Sequence, residues 1–99
     1  MEYHLKNDGD FELEFDGELL ASVSSHSPTS RRWTELNLYK TATGKYVVQS
    51  IGRSNVSGEV DMFACHVYEN TYELMQNTGR GKLAVDLYKQ GGITATKRI

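Results

Sequence analysis

The clearest alternation of apolar and polar side chains lies mid-chain. Trp33-Thr-Glu-Leu-Asn-Leu-Tyr39 and Tyr46-Val-Val-Gln-Ser-Ile51 change face residue by residue and are rich in β-branched and aromatic types, which is the signature of strands. Thr41-Ala-Thr-Gly-Lys45 between them predicts a hairpin turn, with Gly44 left-handed at the end of a type I turn. The implied register sets Leu38 opposite Val48, Leu36 opposite Ser50, Tyr39 opposite Val47 and Glu35 opposite Ile51. Both faces stay partly apolar, so this hairpin belongs in the centre of a sheet.

A second alternation, Phe11-Glu-Leu-Glu-Phe15, precedes Asp16-Gly17, a dipeptide common in hairpin turns. A three-residue loop there would pair Phe15 with Leu19, Leu13 with Ala21 and Phe11 with Val23 on one apolar face. Ser22 to Ser30 is polar and holds the only proline, so it reads as a connection. After a turn region at Gly52–Gly58, a strand from about Val60 to Tyr68 carries Phe63, Cys65 and Val67 on one face and Met62, Ala64, His66 and Tyr68 on the other.

The period then changes. Asn70 followed three residues later by Glu73 is an N-cap signal for a short helix running to Gln76. Asn77-Thr-Gly79 ends it, and a second helix from about Gly81 to Gln90 pairs Leu83 with Leu87 and Ala84 with Tyr88 at helical spacing. Ile93–Ile99 reads as a loose tail or an added edge strand. Strands first and helices last predict an α+β domain: a mainly antiparallel sheet of about five strands with two short C-terminal helices on one face. The 99 residues suit a single domain, 1–99.

Composition narrows the setting. The chain is 38% hydrophobic and 24% charged with one proline, as a folded domain requires. Its single cysteine, Cys65, allows no internal disulfide and points to a reducing compartment. Neither a signal-peptide pattern nor a membrane-length apolar run is present, so the expected location is cytoplasmic. Charge is segregated: residues 1–18 hold seven carboxylates against Lys6, a formal −6, and the remainder holds six acids and ten bases, a formal +4, giving the net −2. Segregation of this kind concerns partners more than fold.

No catalytic constellation emerges. Cys65 and His66 are adjacent on a strand and so point to opposite faces. His4, His26, Cys65 and His66 lack metal-ligand spacing, so neither a metal nor any other cofactor is expected. Thr78-Gly-Arg-Gly-Lys82 lacks the spacing and following hydroxyl of a phosphate-binding loop, Leu83 standing in its place. Ser24, Ser25, Ser27 and His26 share one polar loop, whereas triads draw on separate elements. The chain reads as non-enzymatic.

Two binding surfaces remain. Asp10, Glu12, Glu14, Asp16 and Glu18 form an acidic hairpin, its carboxylates about 7 Å apart along the strand, suited to a protein partner with a basic surface, such as a nucleic-acid-binding complex. The same row would also keep an edge strand soluble. Arg31, Arg32, Trp33, Lys40, Lys45 and Arg53 gather bases and an aromatic around the second hairpin, the alternative being a single-stranded nucleic-acid-binding module. Opposite charges on one chain also permit pairing between copies.

Arg32-Trp-Thr-Glu-Leu-Asn-Leu-Tyr-Lys-Thr-Ala-Thr-Gly-Lys-Tyr-Val-Val-Gln-Ser-Ile-Gly-Arg-Ser54 resembles a segment of small uncharacterised bacterial and mobile-element proteins. The resemblance covers about a quarter of the chain and implies a phage or plasmid context. Small acidic inhibitors of host defence, anti-CRISPR proteins among them, work there by binding host machinery.

Overall fold

In the computed structural model, which describes residues 1–93, five strands and two helices follow in order. They are β1 (Glu2–Leu5), β2 (Leu13–Ser24), β3 (Arg32–Thr41), β4 (Tyr46–Ser54), β5 (Met62–Tyr68), α1 (Thr71–Thr78) and α2 (Lys82–Gln90). All strand pairs are antiparallel, and spatial order equals chain order. The α+β class, the five-stranded sheet and the two C-terminal helices match the expectation. The suggested edge strand at Ile93–Ile99 falls outside the described residues except for Ile93, which is buried.

The central hairpin keeps its expected register, with Leu38 opposite Val48 and Tyr39 opposite Val47. Gly44 takes a φ of 89°, and the Thr41 N–H donates to the Lys45 carbonyl at 2.8 Å. β3–β4 is flanked by β2 and β5, so it is central.

The first hairpin is not there. Asp16-Gly17 lies inside β2, a continuous strand of 12 residues. Phe15 pairs with Tyr3, Leu13 with Leu5, and Leu19, Ala21 and Val23 with Tyr39, Leu38 and Leu36. Gly17 has no positive φ. Its lack of a side chain instead admits the β3 backbone, because a Cβ there would run into the Lys40 carbonyl oxygen. The acids therefore occupy one strand of a two-stranded ribbon, not a hairpin of their own. Ser22–Ser24 belongs to β2 as well, leaving 25–31 as the connection.

The sheet curls until its ends meet. The Asp8 N–H donates to the Phe63 carbonyl, the Phe63 N–H to Asp8 Oδ2, both at 2.7 Å, and the Cys65 N–H to Asn7 Oδ1 at 3.1 Å. The curl creates two cores. Leu5, Tyr39, Val47 and Cys65 fill the inside together with Tyr3, Leu13 and Phe15. Tyr3, Phe15 and Tyr39 form an aromatic trio with centroids 4.8–5.5 Å apart, a favourable spacing.

On the outer face, Ala21, Leu38 and Val48 meet Leu74 of α1 and Ala84, Leu87 and Tyr88 of α2. A bulge between Leu19 and Ala21 shifts the pleat by one residue. Leu19 thus shares the inner face with Tyr39, whereas Ala21 and Val23 turn outward to the helices. Asn70 caps α1 by accepting from the Glu73 N–H at 2.8 Å. Gln90 Oε1 accepts from the Ser22 N–H, satisfying a group on the β2 edge that β1 leaves bare.

Candidate functional site

The acidic row is set by the pleat of β2. Glu12, Glu14, Asp16 and Glu18 alternate with residues that look inward, so they face outward, Glu18 beside Thr71 and Met75 of α1. The side chains of Glu12, Glu14 and Asp16 are 53%, 66% and 70% exposed, which leaves their charge available to a partner. Asp10 stands apart from the row: it sits in the turn joining β1 to β2, its Oδ1 accepting from the Phe11 N–H at 2.7 Å. Glu2, one of the seven carboxylates of residues 1–18 but outside the row expected at Asp10–Glu18, lies opposite Asp16 in register. Asp16 also meets the Met1 amine at 3.1 Å, and Glu18 lies opposite Lys40.

His4 is the residue that sequence reasoning missed. It sits on β1 opposite Glu14, with Nδ1 at 3.0 Å from Glu14 Oε1 and Nε2 at 2.7 Å from Glu12 Oε1. Carboxylates accept only, so both contacts are hydrogen bonds only when the ring carries both protons. The Glu12 contact is the main reason the His4 pKa is raised above its ordinary value, with Glu14 adding to it and desolvation opposing. The alternation Glu2-Tyr-His-Leu-Lys6 was the available signal.

A raised folded-state pKa means that the interaction is fully present below the unfolded pKa and is lost as pH rises through the folded one. The imidazole resonances of His4 should accordingly titrate with a midpoint above 6.5 in NMR. Glu12→Gln with Glu14→Gln should bring the midpoint down, and an unchanged midpoint would refute the assignment. Protonation also removes one unit of negative charge from the row.

The basic set is divided. Arg32 pairs with Glu59 on one face, an arrangement that lowers the Glu59 pKa to about 2. Trp33 and Arg53 are cross-strand neighbours, and Arg53 is held by Glu35 at 3.0 Å and Asp61 at 2.8 Å. Trp33 donates its Nε1–H to Glu35 at 3.2 Å and packs edge-on against His26 at 4.4 Å. Lys40 and Lys45 lie at the other end of β3–β4, about 25 Å from Arg32 by strand rise. Lys45 points to Glu69 at 3.4 Å, and the Lys40 ammonium lies over the Tyr46 ring at 5.7 Å. Arg31 is exposed in the connection before β3. Three of the five bases are thus paired with carboxylates, and no single groove collects them.

Cys65 lies in the inner core, where burial raises its thiol pKa to about 11 and its Sγ–H donates to the Lys6 carbonyl at 3.2 Å. Lys82, beside the glycine-rich break, turns to Asp86 at 3.1 Å. No group of three or more potential metal ligands exists among the described residues. No helix among them is long and apolar enough to cross a membrane. No family model, curated protein or solved structure matches the chain.

Proposed function

We propose that the protein is a non-enzymatic interaction module that docks the acidic outer face of the β1–β2 ribbon on a basic surface of a partner protein. A phage- or plasmid-borne inhibitor acting on a host nucleic-acid-binding complex would work in this way. The observation that carries the reading is the outward row Glu12, Glu14, Asp16 and Glu18, the first three of them more than half exposed. Glu14, Asp16 and Glu18 lie on β2, whose opposite face is anchored in the inner core, and Glu12 stands just before it. A rigid row of like charge steers encounter with an oppositely charged surface and sets its register. The bases around the second hairpin support nucleic-acid binding less well, because they are divided between the two ends of β3–β4 whereas the carboxylates form one row.

The test is charge reversal. Glu12→Lys, Glu14→Lys and Glu18→Lys together should leave the circular dichroism spectrum unchanged. Capture of the partner from a bacterial lysate, identified by mass spectrometry against wild type, should fall about tenfold or more. Raising salt should weaken the wild-type interaction, since exposed charges are screened over about 10 Å at 0.1 M ionic strength. Equal capture by the reversed variant refutes the proposal.

A further inference from the structure

The backbone of the acidic half-strand is as informative as its side chains. The Gly17 N–H donates to the Met1 carbonyl at 2.9 Å, so odd-numbered residues here turn their peptide groups toward β1. Even-numbered ones turn away, as antiparallel pairing dictates. The Asp16 carbonyl, on that far side, accepts from the Ala42 N–H at 2.7 Å. Glu14, two residues earlier, presents its N–H and C=O to the same side, but β3 has ended at Thr41 and its turn has moved away. Among the described residues no backbone group pairs with Glu14 on this edge.

Beside this bare edge opens a cavity of about 370 Å³, lined by Leu13, Phe15, Val47 and Val67 from the inner face and by Thr43 and Lys45 of the turn. Val67 remains 45% exposed at its mouth, and Phe11, next along the chain, is 86% exposed. An unpaired edge, an apolar mouth and a row of carboxylates thus meet on one short segment.

We infer that this edge takes up an extended segment of the partner as an added antiparallel β-strand, one that alternates apolar and basic residues. A strand added here continues the pleat. Residues opposite Glu14 stand beside Glu12, Glu14 and Asp16 and must be basic; their neighbours point inward, toward Leu13, Phe15 and Val67, and must be apolar. Lys45 on the rim does not oppose this, since its ammonium is directed to Glu69 at 3.4 Å. The inference rests on the acidic docking proposed above and adds its geometry.

The experiment uses the whole chain and a capped nine-residue peptide alternating lysine and valine as probe. In antiparallel pairing the register sets lysine N–H groups toward Glu14 and valine N–H groups away. N-methylation of the lysines should weaken binding about tenfold or more, and N-methylation of the valines should not. On the protein, Glu14→Pro removes the edge donor without touching the β1 ladder. It should bind about tenfold more weakly than Glu14→Gln, which loses the same charge but keeps the N–H. Equal effects of both methylations, or no binding at about 1 mM peptide, overturn strand addition. If reversal of Glu12, Glu14 and Glu18 still abolishes partner capture in that case, acidic docking survives without it. Peptide binding that ignores the reversal overturns both.

Discussion

Replacing Gly17 by alanine destabilises the protein by about 3 kcal/mol or more, the loss expected when a central backbone contact cannot form. Gly17 lies opposite Thr41 where β2 crosses the end of β3. A methyl group there would meet the Lys40 carbonyl oxygen head-on and sit 2.9 Å from the Thr41 Cα. Both obstacles are backbone, so no rotamer change relieves them. The strands must part, giving up pairing around Gly17 and Glu18 and the bond from the Ala42 N–H to the Asp16 carbonyl. For a domain of this size each kcal/mol lowers Tm by about 4–8 °C, so thermal unfolding should drop by at least about 12 °C. Gly9, with open space around its Cβ position but a φ of 75°, gives a useful contrast. Alanine there meets only local backbone strain, about 1 kcal/mol. A Gly17→Ala loss no greater than that at Gly9 would mean that the strands separate freely.

Leu38→Ala is the second large effect. Leu38 is fully buried at 0% exposure, within the cluster that contains Ala21, Val48 and Leu87. It also fills the space against Gly91, where an added Cβ would approach its Cδ2 at 2.8 Å. Strand and helix backbones surround the site and cannot collapse into the space. The loss of transfer energy and the cavity left behind together make about 3 kcal/mol, within the usual range of 2–5. Urea denaturation should show the midpoint falling with little change in slope. Leu19→Ala, removing a side chain that is 46% exposed, should cost less than half as much. Equal losses would show that the outer core does not carry the stability assigned to it.

The two effects mark where sequence and structure part. The central hairpin was legible to the residue, because alternation on both strands and a glycine at the turn agree on one register. The helices were legible from Asn70 and the Leu83–Leu87 spacing. Asp16-Gly17 was not, since a dipeptide suited to a turn is equally suited to a close strand crossing when the flanking alternation is unbroken. The bulge at Leu20 compounded the ambiguity: it turns Leu19 and Ala21 to opposite faces although they share parity in the chain. Of the candidate site, the acids could be named from their alternation, and their shared outward face follows from the pleat. His4 could not be placed, because nothing within residues 1–10 shows that they pair with residues 13–16. The bare edge at Glu14 is a tertiary property, set by where β3 ends relative to β2.

The closure of the curled sheet also orders events in time. Neighbouring strands are consecutive in the chain, so each pairing forms across a comparatively short loop. The seam between residues 6–8 and β5 joins groups 55 to 59 positions apart. Loop-closure entropy and contact order both make such a seam late to form. Its hydrogen bonds run between Asp8 and Phe63 at the rim and between the buried Cys65 and both Asn7 and Lys6. The inner core around the aromatic trio and the Cys65 thiol is therefore completed last, after the consecutive strands have paired.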